Sequence, residues 1–340
     1  MKRQRVLVGL FCLVAVRALA AGPLTQHPSV PVVARLKAHN AVLLVDAVTG
    51  AERTIFTFDQ ARGWLHDLTV APSGRYVAVL ATVRGTVAGH EYATLPRNEL
   101  YVLSLDGKIA AGPELDVQRY VWCCGADRIA LVAGTYREGG VEFTPQGVHL
   151  FDVQTKSRDS LPLPREAHRL EWAAFDSALY VGVLGPPDQP RVWRYQPSTH
   201  AVEATPYRDL QFSPSGQYYL YWGPSAGGAD PRGWRIVERA TSHEIPPPRS
   251  GIGAIVGWAF GAGDRLLLAA PTSACPTRVA PPQPSICRVE VDRYTVFDLQ
   301  SRKSVRTIAG RMEPGVATSS RDVVAVMRDG ALRVVADTSP

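Results

Sequence analysis

The stretch Leu68-Thr69-Val70-Ala71-Pro72-Ser73-Gly74-Arg75-Tyr76-Val77-Ala78-Val79 is a short apolar strand, a Pro-Ser-Gly turn and a second strand rich in Val and Tyr. The same pattern returns at Leu210-Gln211-Phe212-Ser213-Pro214-Ser215-Gly216-Gln217-Tyr218-Tyr219-Leu220-Tyr221. Four more degenerate copies place their turns near residues 125, 175, 262 and 320. A single hairpin that recurs every 40 to 58 residues indicates a repeat architecture.

A second hairpin alternates with the first. Asp46 precedes Thr49 by three residues in an apolar stretch, and the same spacing recurs at Asp152 and Thr155 and at Asp298 and Ser301. A carboxylate in that position accepts hydrogen bonds from the backbone of the next residues and closes a tight turn. The spacing therefore predicts turns at these three places.

Two alternating hairpins make a four-stranded antiparallel unit of about fifty residues, which is the size of one propeller blade. The sequence predicts an all-β fold, a β-propeller of four-stranded antiparallel blades. Six turn centres favour six blades, and the closing blade is expected to combine the C-terminal hairpin with the N-terminal segment 42–58. Seven blades is the alternative, because 331–336 has the pattern of an additional strand. A pair of immunoglobulin-like sandwiches is a second alternative, although such domains do not alternate two turn types this regularly.

The repeat resembles bacterial exported β-propellers of the WD-repeat-like and Tol-system-like type, whose blades carry a Ser-Pro-Asp-Gly turn. This chain keeps Pro-Ser-Gly at Ser73 and Ser215, with Ser in place of Asp, and loses the Pro in the other four copies. The resemblance implies the architecture of nearly the whole chain after residue 20, and no particular chemistry.

Residues 1–20 are predicted to be a signal peptide: a basic start, eleven apolar residues from Val6 to Val16, and the small-residue site Ala18-Leu19-Ala20. Residues 21–340 are predicted to be one propeller domain, periplasmic or secreted, with no membrane span after cleavage. Four of the 37 basic side chains lie in the signal peptide, which leaves 33 against 31 acidic ones. That near-neutral balance argues against nucleic acid as a partner.

Four cysteines follow the signal peptide. Cys275 and Cys287 bracket a Pro-rich loop, and a disulfide between them is expected in an oxidising compartment. Cys123 and Cys124 are adjacent, and four interpretations stay open. They are a strained disulfide ring, a redox switch, a soft-metal site, or two small buried residues at a turn.

Polar residues precede four of the first strands, where the connection from one blade reaches the next. These positions share one face with the longest predicted loops, and function on a rigid ring is expected in such loops. The alternative is that the charges pair between blades or face water. The ligand-binding candidates are His66, Asp67, Arg119, His168, Arg169, Arg208 and Asp209.

The familiar catalytic motifs, such as Gly-x-Ser-x-Gly or His-Glu-x-x-His, are missing from the sequence. The sequence therefore predicts no catalytic residue, metal or cofactor, and favours a non-enzymatic module that binds a protein or peptide through its long-loop face. The alternative is a propeller enzyme or small-ligand binder, similar to a lyase or lactonase, with its site at the mouth of the central channel. In that alternative His66, Asp67, His168 and Asp209 should converge rather than pair away from the channel.

Overall fold

The structure is a computed structural model that describes residues 31–84, 96–125, 127–136, 143–183, 191–207, 210–223, 233–245, 257–260, 262–269, 293–310, 316–319, 323–328 and 331–336. Strands dominate these residues, with one short 3-10 helix at Ala262–Asp264. The strands in the first half of the chain are β1 (Val33–Lys37), β2 (Ala41–Val45), β3 (Glu52–Thr57), β4 (Gly63–Val70), β5 (Tyr76–Arg84), β6 (Pro96–Ser104), β7 (Ile109–Leu115), β8 (Val117–Cys123), β9 (Arg128–Tyr136), β10 (Phe143–Asp152), β11 (Arg158–Ser160), β12 (Ala167–Ala173) and β13 (Ala178–Val183). Those in the second half are β14 (Val192–Gln196), β15 (Ala201–Thr205), β16 (Gln211–Phe212), β17 (Tyr218–Gly223), β18 (Gly233–Glu238), β19 (His243–Ile245), β20 (Gly257–Phe260), β21 (Arg265–Ala269), β22 (Arg293–Asp298), β23 (Lys303–Ala309), β24 (Val316–Thr318), β25 (Val323–Arg328) and β26 (Ala331–Ala336).

These strands form six four-stranded antiparallel sheets, which are the blades of a β-propeller, so the predicted fold class is confirmed. Five blades use consecutive strands: β4 to β7, β8 to β11, β12 to β15, β16 to β19 and β20 to β23. The first strand of each blade is the inner one. Inner strands of neighbouring blades contact each other, as β8 does with β12, whereas the fourth strands β7, β15 and β23 are largely exposed.

The sixth blade joins the two ends of the described chain. Its inner strand is β24, which pairs with β1, and β2 and β3 complete the sheet. The expected clasp is therefore present, but a single C-terminal strand makes it rather than the C-terminal hairpin. The extra strand predicted at 331–336 is β26, which pairs with β25 in a separate two-stranded sheet.

The β25–β26 hairpin packs against two blades at once. Val326 is buried with Leu267 and Val296 of the β20–β23 blade. Leu332 is buried with Val33 and Val45 of the closing blade. The hairpin thus fills the seam of the ring and does not make a seventh four-stranded blade.

The Asp-x-x-Thr/Ser turns form as predicted. Asp46 Oδ1 accepts hydrogen bonds from the backbone of Val48 and Thr49, and Asp152 Oδ1 accepts them from Gln154 and Thr155. Asp298 Oδ1 accepts one from Ser301. These backbone hydrogen bonds lower the pKa of all three carboxyl groups, because they favour the ionised form.

The Pro-Ser-Gly turns link each blade to the next one. Ser73 Oγ donates to Asp127 Oδ1 over 2.7 Å, and the Arg75 guanidinium pairs with the same carboxylate. In the other copy, the Ser215 backbone N donates to Asp264 Oδ1 over 3.0 Å and its hydroxyl binds the same carboxylate. Asp127 and Asp264 each lie at the first hairpin of the following blade, so the serine of this motif makes a contact between blades.

Asp127→Asn should lower the free energy of unfolding by about 1–3 kcal/mol, measured by equilibrium urea denaturation, because hydrogen bonds to a charged group are stronger than neutral ones. Asp127 is 1% exposed, so water has little access to the position of the lost charge and cannot compensate for it. Asp159→Asn is the matched control, since Asp159 is exposed at the outer strand β11 and should change stability little. Equal effects of the two substitutions would contradict the assignment of Asp127 as a link between blades.

Candidate functional site

Three successive inner strands carry a β-bulge at the same place. The pairing register shifts between Leu65 and Asp67, between Val117 and Arg119, and between Ala167 and Arg169. The extra residues are His66, Gln118 and His168. These three polar residues therefore hold equivalent positions near the beginning of their inner strands. Bulges re-aim side chains and are frequent beside functional sites.

The bulge leaves a trace in the sequence. Buried residues follow the spacing i, i+3, i+5, as in Leu65, Leu68 and Val70, instead of the alternation of a regular strand. The bulged residue adds one position to the spacing, so the apolar side chains before and after it both lie on the core face of the sheet. The same spacing is found at Val117, Tyr120 and Trp122, at Ala167, Leu170 and Trp172, and at Tyr207, Leu210 and Phe212.

Gly63 positions the beginning of β4. Its φ is +156°, and a Cβ there would lie 1.9 Å from the backbone oxygen of Thr82. Only glycine fits so close to the neighbouring strand. Gly63 therefore lets the beginning of β4 lie close against β5, three residues before the bulge at His66.

The surroundings of the His66 ring favour its neutral form. Its Nε2 is buried and has no hydrogen-bond partner of normal geometry among the described residues. Burial lowers the pKa of His66; the Asp67 carboxylate opposes this, the Arg119 guanidinium adds to it, and Asn98 opposes it through a side-chain hydrogen bond. A histidine with a lowered pKa is unprotonated at neutral pH and can accept a proton.

Asp67 and Arg119 are unengaged within the described part of the chain. Asp67 is 9% exposed and Arg119 is exposed, and neither has a hydrogen bond or ion pair with another described residue. Other charges near this face are engaged: Arg97 pairs with Asp116 at 3.0 Å, and Arg62 with Glu99 at 3.2 Å. A largely buried carboxylate without a partner is costly, so its presence beside a histidine and an arginine is typical of a binding site.

A chain of side-chain hydrogen bonds connects the two blades beside this site. Thr82 Oγ1 donates to Asn98 Oδ1 over 2.9 Å, and Asn98 Nδ2 donates to Gln118 Oε1 over 3.3 Å. Gln118 Nε2 donates in turn to the backbone oxygen of Gly134 over 2.9 Å. The chain ties β5 and β6 to β8, and so holds the two blades that carry His66 and Arg119 in register.

His39 of the closing blade also lies close to β4. It lies in the turn between β1 and β2, where its Nδ1 lies 3.2 Å from the backbone oxygen of Leu65. Its charge also lowers the pKa of His66. The closing blade therefore contributes to the electrostatics of the site on β4.

The structure brings together three of the seven predicted ligand-binding residues, namely His66, Asp67 and Arg119. His168 and Arg169 hold the equivalent place on β12. A Cβ on Gly182 would lie 3.3 Å from Arg169 Cβ and 3.5 Å from His168 Cε1. Arg208 and Asp209 lie outside the described residues, as do Cys275 and Cys287. The binding role of all seven residues stays a prediction.

Sequence reasoning missed Gln118, Asn98 and His39. The i, i+3, i+5 spacing was sufficient to find Gln118, because it accompanies the bulge in all three blades where a bulge is observed. Asn98 and His39 carry no such signal, since they lie on other strands and reach the site only through the arrangement of blades.

Two features were not found, and both statements apply to the described residues only. They contain no helix long and apolar enough to cross a membrane. They also contain no group of three or more His, Cys, Asp or Glu side chains placed to hold a metal ion.

No protein-family model and no curated protein matches the chain. Among solved structures, an oligogalacturonate lyase from Vibrio parahaemolyticus is 11% identical, covers 70% of this chain and 71% of its own, and superposes with a TM-score of 0.51. An oligogalacturonate lyase in complex with manganese is 14% identical, with 70% of each chain covered and a TM-score of 0.50. At these identities the likeness concerns the fold, which is that of a β-propeller.

Proposed function

We propose that this protein is an exported propeller enzyme that binds a carboxylate-bearing saccharide at the mouth of its central channel and cleaves it by elimination. One observation supports the proposal most: His66, whose pKa is lowered and whose buried Nε2 has no hydrogen-bond partner among the described residues, lies beside Asp67 and Arg119, which make no hydrogen bond or ion pair within the same part of the chain. The names of the two similar structures favour an acidic saccharide among carboxylate-bearing ligands.

The residues suit an elimination. Arg119 would pair with the substrate carboxylate and so stabilise the negative charge that develops when the adjacent C–H bond breaks. The His66 imidazole would accept that proton as general base. The C–H electrons then form a C=C bond while the glycosidic C–O bond breaks, and the leaving oxygen takes a proton from His66 or from water. Asp67 would stabilise the imidazolium that forms.

The manganese bound by one similar protein raises the question of whether this chain fits a metal. His66 and Asp67 supply two ligands of the usual types, and the described residues provide no group of three. They do not fit a metal centre as they stand, so no step of the reaction is derived through one.

The direct test is incubation with oligogalacturonate, with and without Mn²⁺, while the ultraviolet absorbance of a C=C bond conjugated to a carboxylate is followed. Calorimetric titration of the same oligosaccharide measures binding separately from turnover. Binding without turnover would support a ligand binder rather than an enzyme. The absence of both would overturn the proposal and leave the predicted protein-docking face, whose long loops lie largely outside the described residues.

Arg119→Ala should weaken the binding of oligogalacturonate about 10- to 100-fold, because a charge-assisted hydrogen bond contributes about 1.5–3 kcal/mol. The matched control is Arg97→Ala, which removes an arginine of the same face that is already paired with Asp116. It should leave the dissociation constant unchanged. Equal losses in both variants would mean that the arginines act only through the net charge of the face.

A further inference from the structure

Cys123 and Cys124 are side by side at the end of β8, on the face opposite the candidate site. Neighbouring side chains in a strand point to opposite faces of the sheet. Cys124 has left that geometry, with a φ of +60°, and its side chain turns towards that of Cys123. The two Sγ atoms are 2.7 Å apart, closer than two unbonded sulfur atoms normally approach.

The two thiols differ in access. Cys123 is 2% exposed and packs in the core cluster that includes Trp172 and Tyr195 of the following blade. Cys124 is half-buried and only flanks that cluster. Burial raises the pKa of the Cys123 thiol well above its usual value, and the neighbouring Cys124 adds to the effect. Cys124 is therefore the sulfur that an external reagent reaches first.

We propose that Cys123 and Cys124 form a redox modification site, at which a small soluble disulfide oxidises the adjacent thiols to a vicinal disulfide. The Cys124 thiolate attacks one sulfur of the reagent, forms a mixed disulfide and expels one thiolate. Cys123 then loses its proton and attacks the Cys124 sulfur, so that the Cys123–Cys124 bond forms and the second thiolate leaves. Two electrons pass from the protein to the reagent, which becomes two thiols.

The geometry favours this pairing over any other in the described part of the chain, where these are the only two cysteines. The contact of their sulfurs needs no movement of another strand. The same turn holds Asp127, which binds Ser73 and Arg75 of the preceding blade. Oxidation would thus act on a turn that joins three blades.

Peptide mapping tests the proposal, and the sequence suits it. Trypsin cleavage after Arg119 and Arg128 releases the peptide 120–128, which contains both cysteines and no other. Cys12, Cys275 and Cys287 fall in other tryptic peptides. The reduced and desalted full chain is incubated with oxidised glutathione, quenched with acid, denatured, alkylated with iodoacetamide, digested and analysed by mass spectrometry.

We expect the peptide to be unalkylated and lighter than its dithiol form by two hydrogen atoms, and to take up two alkyl groups after prior reduction. Two alkyl groups without reduction, or a glutathione adduct that persists, would overturn the proposal. Cys124→Ser separates the roles: the buried Cys123 should then stay a thiol and carry no glutathione. Glutathione on Cys123 in that variant would show that Cys124 is not the attacking sulfur.

Discussion

Trp122→Ala is expected to lower the free energy of unfolding by about 3–5 kcal/mol, as truncations of fully buried aromatic residues do. Trp122 is 1% exposed, the largest side chain among the fully buried ones described. Its Nε1 donates to Thr69 Oγ1 of the preceding blade over 2.9 Å. The substitution therefore removes both packing and a hydrogen bond from the interface between two blades, and equilibrium urea denaturation measures the loss.

Two further variants separate these contributions. Trp122→Phe keeps most of the volume and leaves the Thr69 hydroxyl without its donor, which should cost about 1–3 kcal/mol. Trp64→Ala is the exposure control, because Trp64 is 43% exposed at the beginning of β4. If Trp122→Ala destabilised no more than Trp64→Ala, the interface between these blades could not be packed as described.

His66→Ala is expected to slow the elimination of oligogalacturonate about 10²- to 10⁴-fold, the usual contribution of a general base. This expectation depends on the proposed function. The variant loses a largely buried ring and its side-chain hydrogen bond with Asn98, so its urea midpoint is measured beside the rate to show that it is folded under the assay conditions. His149→Ala is the matched control: burial lowers the pKa of His149 too, but it lies on β10 beside the outer strand β11.

The pH dependence provides a second readout of the same residue. Because burial lowers the pKa of His66 from 6.5, the neutral base predominates at neutral pH. The rate should be constant there and should fall only as the pH drops below 6.5. In the residual activity of Arg119→Ala the fall should begin at higher pH, since a positive charge that lowers the His66 pKa has been removed. A rate that falls only above pH 6.5, or no shift in Arg119→Ala, would refute the assigned role.

The same shift has a consequence for stability. A histidine whose pKa is lowered by folding takes up protons more readily in the unfolded chain. The stability due to neutral His66 is therefore complete above pH 6.5 and is lost as the pH falls through 6.5 towards the lowered value.

The periodic parts of this fold could be predicted from the sequence because each has a local cause. The Pro-Ser-Gly turns and the turns of Asp46, Asp152 and Asp298 depend on hydrogen bonds within a few residues. The strands follow from alternating apolar residues between these turns. The count of six blades follows from the number of first hairpins, and the structure confirms it.

Contacts between blades were harder to predict, because they join residues far apart in the chain. Asp127 lies 54 residues from Ser73, and Asp264 lies 49 from Ser215. Nothing in the spacing of either pair indicates a hydrogen bond. The role of the serine in the Pro-Ser-Gly turn therefore emerged only from the structure.

The candidate site shows the same division. Its positions were predicted, since polar residues at the beginnings of inner strands are visible in the sequence. The pairing of its side chains was not predicted: the sequence left open whether His66, Asp67 and Arg119 form ion pairs between blades. The polar groups around these residues, Asn98, Gln118 and His39, come from β6, from β8 and from the turn between β1 and β2, and only the folded ring brings them together.

The order in which the ring is completed has a consequence for biogenesis. β24 is the strand that seals the propeller, yet it is synthesised about 280 residues after its partner β1. Until then the backbone donors and acceptors on one side of β1 have no permanent neighbour, as on any exposed strand edge. A chain synthesised from its N-terminus therefore carries this unpaired edge until nearly all of its residues have been added, so premature pairing with another chain is a greater hazard for the first strand than for the last.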